Sequence, residues 1–232
     1  MPKRPVNPRR PARSPQGHAE RAPASARAPK PGSRRAERAA ERRAAIVAAG
    51  LDEFIARGFT ATRLDDVARR AGVAKGTIYL HFKDKEALFE ELVRTAIVPL
   101  LGRLTALPPP QGSVRDALEG FARTFIQEVA TTRRGDIVRL ILAEGPRFPA
   151  IADFYYQEVV SRGLSAMRAL IELGIKRGEI RQAALADFPQ IVVAPAIVGV
   201  IWKSLFDRHA PLDANAMLRV HLDLIFGERS KS

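Results

Sequence analysis

Apolar residues recur at helical spacing along almost the whole chain beyond residue 33, and this pattern limits the possible folds more than any other feature. In the first such segment, at about 35–57, Val47, Leu51, Phe54 and Ile55 form one apolar stripe. Comparable patterns follow at about 114–132, 136–145, 149–177, 186–208 and 213–226. No segment alternates convincingly as a strand would. The sequence therefore predicts an all-α fold.

Glycines and capping residues divide the chain between 34 and 84 into three short helices. Gly58 is predicted to end the first helix in the manner of a left-handed cap. The run Thr62-Arg-Leu-Asp65 resembles a capping box and predicts the start of the second. Gly72, which can adopt a positive φ, predicts a tight turn before a third helix at about 74–82. Two short helices joined by such a turn indicate a helix-turn-helix unit.

A fourth helix and a break organise the rest of the chain. Asp84 is predicted to cap a helix that continues to about Leu104. The run LPPPQGS at 107–113 then interrupts the helical pattern. We therefore expect a three-helix head over 34–84 and a helical body over 85–232.

The third helix carries two kinds of side chain. Ile78 and Phe82 stand at helical spacing and are predicted to face inward. The remaining positions face outward: Lys75, Gly76, Thr77, Tyr79, Leu80 and His81. In a helix-turn-helix unit this helix enters the major groove of DNA. We therefore predict that its outer face binds double-stranded DNA, with a plain core role as the alternative for Tyr79 and His81.

The candidate DNA contacts fall into two classes, because phosphate contacts position a protein and base contacts select the sequence. Contacts to phosphates are expected mainly from Thr62, Tyr79, His81 and Lys85. Contacts to bases are expected from Lys75, Thr77 and Leu80. Gly76 would let the backbone approach a phosphate, and Arg63 completes the candidate set.

The charge of the chain favours a polyanionic partner. Its 38 basic and 25 acidic residues give a formal charge of +13 and a pI near 10.9, which suits nucleic acid or an anionic membrane. Residues 1–33 hold +7 of that charge and eight prolines, and are predicted to be disordered. This tail is either a solvated extension, the product of a misassigned start codon, or a basic arm that follows DNA.

Composition also excludes several classes of site. The chain has no cysteine, which rules out disulfides and thiol chemistry and suits a reducing cytoplasm. Its four histidines are scattered without metal-ligand spacing, and no catalytic grouping is apparent. The longest apolar run, 191–202, is too short to span a membrane, which takes about 20 residues. We therefore expect a cytoplasmic protein that is not an enzyme and has no metal, cofactor or membrane partner.

One stretch of the head resembles a known family. The run GFTATRLDDVARRAGVAKGTIYLHFKDKEALF (58–89) closely resembles the DNA-binding domain of TetR/AcrR transcriptional regulators. The resemblance implies an all-α homodimer with a variable ligand-binding body. It also implies that Tyr79, His81 and Lys85 contact phosphates, while Lys75, Gly76, Thr77 and Leu80 approach the bases. Ala74 departs from the family, which usually has Ser or Thr at this cap position.

The body carries a weaker resemblance and a possible effector site. The runs RLILAEGPRFPAIADFYYQEVV (139–160) and RGEIR (177–181) look like the C-terminal type of AefR-like repressors. Aromatic residues that would suit an apolar cavity are Phe121, Phe125, Phe154, Tyr155 and Trp202. Each of them is more often ordinary core in a helical bundle. Polar fixing groups could come from Glu128, Glu144 and Arg139.

The last two helical segments predict a dimer. The run 191–202 is apolar on nearly every face, and the helix at 213–226 carries two apolar stripes. One face can meet the bundle and the other a second subunit, with Ala196 and Gly199 small enough for close helix packing. We therefore expect a homodimer formed through segments 186–208 and 213–226.

These observations lead to one main functional hypothesis and one alternative. The chain is predicted to be a ligand-responsive transcriptional regulator, a repressor that binds a palindromic operator as a dimer and is released by a small hydrophobic effector. The alternative is a sequence-nonspecific DNA-binding protein driven by the basic tail.

Overall fold

The computed structural model describes Met1 and residues 31–106 and 108–227. Most of the basic tail, for which disorder was predicted, lies outside these residues. Within the described ranges the chain is helical and contains no strand, which confirms the all-α prediction. The helices are α1 (Pro31–Ala61), α2 (Leu64–Arg70), α3 (Lys75–His81), α4 (Lys85–Ala96), α5 (Val98–Thr105), α6 (Val114–Phe125), α7 (Arg134–Glu144), α8 (Pro149–Tyr155), α9 (Ser161–Lys176), α10 (Gln190–Leu205) and α11 (Ala214–Phe226). Two π-helical turns, Ile126–Ala130 and Tyr156–Val160, follow α6 and α8, and a 3-10 turn covers Ala183–Ala186.

The first helix starts earlier than expected and bends at the expected glycine. It begins at Pro31, a residue that fits a first helical position because its φ is already helical. Gly58 has a φ of 75° and a ψ of 165°, so it breaks the helix with a positive φ, but its ψ is extended rather than left-handed helical. One further turn then carries the chain to Ala61.

The predicted capping box at the start of α2 is wrong. Arg63 occupies the cap position, and no side chain caps this helix. The Thr62 hydroxyl instead lies 2.8 Å from the Gly58 carbonyl oxygen and 3.1 Å from that of Glu53. Thr62 is buried and closes the end of α1, because the kink at Gly58 leaves carbonyls there that need a donor.

The fourth helix is capped as predicted but is not continuous to Leu104. The Asp84 carboxylate accepts a hydrogen bond from the Ala87 amide at 2.7 Å. The helix breaks at Ile97, whose φ is −102°, and α5 follows with Pro99 in its first turn. Proline has no amide hydrogen to continue the helical bonding, so it favours a new helix start at this point.

The apolar core of the head extends into the body. Side chains of α1 to α4, among them Phe54, Phe59 and Phe89, form one cluster. Ile137 of α7 and Ile151 of α8 belong to the same cluster, and both are fully buried. The head therefore rests on α7 and α8 through a shared core.

The body has its own core and an uncovered apolar face. Leu218 and Leu222 of α11 pack with α6 and α9, so one of the two predicted stripes meets the bundle. Gly199 lies close to Ala214 of the same chain, where its small size lets α10 approach α11. Large apolar side chains on and beside these helices stay exposed, namely Phe188, Ile191, Val198, Leu205, Phe206, Val220 and Leu224.

Candidate nucleic-acid interface

The turn between α2 and α3 aims the third helix outward. Gly72 has a φ of 67°, as predicted, and the Val73 amide donates to the Ala68 carbonyl at 3.0 Å. Ile78 is fully buried and Phe82 nearly so, which anchors one face of α3 in the head core. The opposite face of this short helix must therefore face solvent.

The exposed face of α3 carries most of the predicted DNA contacts. Lys75 and Tyr79 are exposed, and Leu80 is 85% exposed. Thr77 and His81 are half-buried at its edges. A Cβ atom on Gly76 would meet no other group within 4 Å, so the backbone is open to a close approach there. Leu80 is therefore open to solvent at a position where the sequence predicts a base contact.

Lys75 and Tyr79 are both held by Asp65 of α2. The Lys75 ammonium donates to Asp65 Oδ2 at 2.7 Å, and the Tyr79 hydroxyl donates to Oδ1 at 3.3 Å. The hydrogen bond from Lys75 lowers the pKa of the Asp65 carboxyl, and the same bond raises the pKa of Lys75. Arg63 is also exposed, and its charge contributes to the lowered pKa of Asp65. The exposed face thus holds three cationic or donor groups around one acid.

Two predicted phosphate contacts point away from this face. The Thr62 hydroxyl donates to the Gly58 carbonyl of α1, and the Lys85 ammonium donates to the Phe59 carbonyl of the same helix. This ammonium lies 2.8 Å from the Phe59 carbonyl oxygen, 3.0 Å from that of Thr60, and 4.8 Å from the centre of the Phe59 ring. These carbonyls end a helix without further amide partners, and a nearby cation satisfies them.

A buried acid in the head was not anticipated from the sequence. Glu53 is 3% exposed, and its carboxylate oxygens lie 2.7 Å from Arg70 Nε and 3.0 Å from Arg57 Nε. The hydrogen bond with Glu53 raises the pKa of Arg70. Arg70 lies 17 positions from Glu53, and a pairing between separate helices leaves no periodic signal in a sequence.

Phe59 joins the head to the body through both its backbone and its ring. Its amide donates to Glu144 Oε1 of α7 at 3.3 Å, while its carbonyl accepts from Lys85 of α4. Its ring lies 4.7 Å from the ring of Phe148, in the connection between α7 and α8. The second carboxylate oxygen of Glu144 is buried without a hydrogen-bond partner.

The five aromatic residues predicted to form an effector cavity do not converge. Phe121 packs with the α6–α9–α11 core, and Phe125 packs with Leu100, Val138 and neighbouring residues. Phe154 and Tyr155 pack against the core of the head, and burial raises the pKa of the Tyr155 hydroxyl to about 12. Trp202 donates its indole N–H to the Ala210 carbonyl at 2.6 Å and contacts Phe206. Their spacing along single helices predicted local stripes correctly but gave no information on which stripes meet.

A cavity of about 290 Å³ lies elsewhere in the body, and none of those aromatic residues lines it. Its walls are Ala130, Thr131, Thr132, Arg139, Lys203 and Ser204. Of the predicted polar groups only Arg139 lies there, and it pairs with Asp136. Glu128 instead pairs with Arg134 at 3.0 Å.

None of the helices in the described part of the chain has both the length and the apolar character needed to cross a membrane.

Known protein families match both the N-terminal and the C-terminal part of the chain. Residues 46–92 match the bacterial regulatory proteins of the tetR family, and residues 108–222 match the Tetracyclin repressor-like C-terminal domain. The repressor BepR of Brucella suis is 31% identical over 166 residues, covering 68% of this chain and 77% of BepR. The repressor KstR2 of Mycolicibacterium smegmatis is 27% identical over 183 residues, covering 77% and 86%.

A solved structure shows the same fold. Salmonella enterica GusR superposes with a TM-score of 0.65 at 21% identity, covering 80% of this chain and 95% of GusR. With an outward helix in the head and relatives that are transcriptional regulators rather than enzymes, the TetR/AcrR resemblance of residues 58–89 is confirmed. The chain belongs to the TetR family of DNA-binding bacterial transcriptional regulators.

Proposed function

We propose that this protein is a repressor that binds a palindromic operator as a homodimer and leaves it when a small hydrophobic effector binds the body. The observation that carries the proposal is the outer face of α3. Lys75, Tyr79 and Leu80 are exposed there while Ile78 and Phe82 anchor the helix from below. Such a helix fits the major groove, where a lysine can bind guanine and a leucine can pack against a thymine methyl group.

The proposed DNA contacts follow from exposure. Base contacts come from Lys75, Thr77 and Leu80, with Gly76 allowing the close approach. Phosphate contacts come from Arg63, Tyr79 and His81. Thr62 and Lys85 support the end of α1 in the DNA-free state, so a phosphate contact from Lys85 would require its ammonium to leave two carbonyls.

The exposed apolar face of α10 and α11 supports the dimer. Seven large apolar side chains on and beside these helices lie open in a single chain, and a patch of this kind marks a contact with another protein surface. A two-fold axis through this face would present two α3 helices to successive major grooves, about 34–36 Å apart. Segments 186–208 and 213–226 are therefore the proposed interface.

A selection experiment tests the operator. The full-length protein is mixed with a pool of random duplexes, and the bound duplexes are sequenced over several rounds. The proposal expects an enriched palindrome with half-sites about one helical turn apart. Recovery of duplexes without a common sequence would contradict it.

A substitution then assigns the base contact. Lys75→Ala should weaken binding to the selected operator by roughly tenfold or more, since a good base contact is worth about 1–3 kcal/mol. Binding to random duplex should weaken less. Lys176→Ala on α9, which also removes one exposed lysine and lies outside the proposed interfaces, is the matched control and should change neither affinity appreciably. An equal loss on both duplexes would show that Lys75 contacts only phosphate.

The basic tail gives the alternative, a DNA-coating protein without sequence preference. Removing residues 2–30 separates the two functions, because the operator preference of a repressor resides in the head. The truncated repressor would bind all DNA more weakly but would keep its ratio of operator to random affinity. A protein that coats DNA would lose almost all binding, as expected when phosphate contacts supply the whole affinity.

The joint around Phe59 supports a route from effector to DNA. Glu144 and Phe148 hold Phe59 at the end of α1, and Lys85 at the start of α4 holds the same residue. An effector that enters among Leu100, Val138 and Phe125 would move α5 and α7, and α7 carries Glu144 at this joint. The two heads of the dimer would then change their spacing, with a coupling on the order of 1–3 kcal/mol.

Glu144→Ala tests this route. The substitution removes the acceptor of the Phe59 amide, so operator binding should persist while its release by effector is reduced. Glu144→Gln keeps an acceptor oxygen and is the matched control. The effector is identified first by screening apolar compounds for release of the operator, and an unchanged release by Glu144→Ala would contradict the route.

A further inference from the structure

Asp65 lies in the proposed DNA interface, yet an acid has no evident place beside phosphates. Its side chain is 40% exposed and stands between α2 and α3. One carboxylate oxygen accepts from the Lys75 ammonium at 2.7 Å, and the other accepts from the Tyr79 hydroxyl at 3.3 Å. A single acid thus engages one proposed base contact and one proposed phosphate contact.

The next residue shows that this arrangement is particular to Asp65. Asp66 is 14% exposed and pairs with Arg57 at 3.3 Å and with Arg69. Asp66 therefore ties α2 to α1 within the head. The two neighbouring acids have the same charge, but only Asp65 touches groups on the exposed face of α3.

The position of Asp65 has an electrostatic consequence for DNA binding. Affinity for random DNA comes almost wholly from cations that replace counterions on the phosphates. An ammonium paired with a carboxylate is less available for this exchange, and the carboxylate itself repels phosphate. A base edge with acceptors at the right place can replace the carboxylate as the partner of Lys75.

We propose that Asp65 is a specificity-determining residue, which restrains Lys75 and Tyr79 on random DNA and yields them only to a matching operator. The inference rests on the proposed function, because it requires that α3 reads bases. Asp65 acts on DNA through the two side chains that it holds, so its removal should improve binding to the wrong sequences more than to the right one.

The test compares Asp65→Asn with Asp66→Asn, which make the same charge change one residue apart. Affinities of the full-length proteins are measured for the selected operator and for a random duplex of equal length over a range of salt concentrations. Asp65→Asn should tighten random binding by roughly tenfold and make its salt slope steeper by about one, since one more cation meets phosphate. Operator affinity should rise by less than about threefold, because the operator already releases Lys75 in the wild type.

A double substitution identifies the group that Asp65 restrains. In a Lys75→Ala background, Asp65→Asn should lose most of its effect on random binding. Melting temperatures of all variants show whether the head stays folded, and Asp65→Ser serves as a second variant if the asparagine destabilises it.

The other possible results would contradict either the role of Asp65 or the proposed function. Equal tightening on operator and random duplex, or the same change from Asp66→Asn, would overturn the inference, because net charge alone would then explain the result. Full persistence of the effect without Lys75 would overturn it as well. A wild-type protein without operator preference would instead refute the proposed function, and that result is visible before any variant is made.

Discussion

The head and the body differ in how much of their apolar side-chain surface is buried within the chain. In the head, the apolar side chains of α1 to α3 form one core together with those of α4, α7 and α8, and the exposed side of α3 is polar except for Leu80 and part of Tyr79. In the body, α10 and α11 leave a row of large apolar side chains uncovered. The head therefore has a polar outer surface over a core that it shares with α7 and α8, whereas the body leaves an apolar face uncovered within the single chain.

This difference fits the two kinds of recognition that we propose for the chain. A duplex is a polyanion, and a surface that binds it needs charges and hydrogen-bond donors. A second copy of the same chain is recognised through apolar area and shape, as in homodimer interfaces, whose centres are more apolar than ordinary surfaces. The two functional surfaces of one chain can thus be distinguished by composition alone.

The largest expected effect lies in the core of the head. Phe59→Ala removes a fully buried ring that packs on Phe54, Phe89 and Phe148, and should lower the free energy of unfolding by about 3–5 kcal/mol. Ile55→Ala, on the same helix but half exposed, is the control and should cost far less. Chemical denaturation followed by circular dichroism measures both. Because the core is shared with α7 and α8, head and body should lose stability together. A head that unfolds in a separate transition would contradict this shared core.

An intermediate effect is expected on the uncovered face. Leu224 is 81% exposed in the single chain, so Leu224→Glu should leave the subunit folded. A glutamate placed in an apolar interface must lose its hydration, which costs several kcal/mol without a partner charge. Sedimentation should therefore show a monomer for the variant, in contrast to the dimer proposed for the wild type. If the variant stayed fully dimeric, Leu224 of α11 would not lie in the interface.

The smallest expected effect is the pH dependence of stability that arises from His221, which also lies on α11. Burial lowers the pKa of His221 on α11, and a hydrogen bond with the Ile191 backbone opposes part of that shift. Because the folded-state pKa is lowered, the contribution of the neutral histidine to stability is complete above the unfolded-state pKa near 6.5. That contribution is lost as the pH falls through 6.5 towards the lower folded-state value.

The pH effect is measured by comparing His221→Gln with the wild type. Lowering the pH from 7.5 to 5.5 should reduce the melting temperature of the wild type more than that of the variant, which cannot gain a proton at this site. Equal reductions would mean that other groups carry the acid sensitivity of the body.

Prediction from sequence was more successful for the head than for the body, for physical reasons. Gly72, Asp84, Ile78 and Phe82 act within a few residues of their own positions, so their roles follow from local geometry. Thr62 bonds to carbonyls up to nine positions away, and its role could not be read from the capping pattern. In the body, helix positions were predicted well, but which helical faces meet depends on packing between distant segments.

The effector residues show the same limit most clearly. Phe121 and Phe154 are both half-buried aromatic residues, yet they belong to different apolar clusters. Side-chain type and helical spacing are identical signals in the two cases, and only the path of the backbone separates them.

The joint at Phe59 has a consequence for the construction of chimeric regulators. A transplanted segment 31–84 would arrive without Phe89, Ile137 and Ile151, which complete its core here, and without Glu144 to receive the Phe59 amide. The foreign body would have to offer the same shapes at the same places. Exchange of operator preference between relatives is therefore expected to succeed more readily by replacing individual outward side chains of α3 than by moving the whole unit.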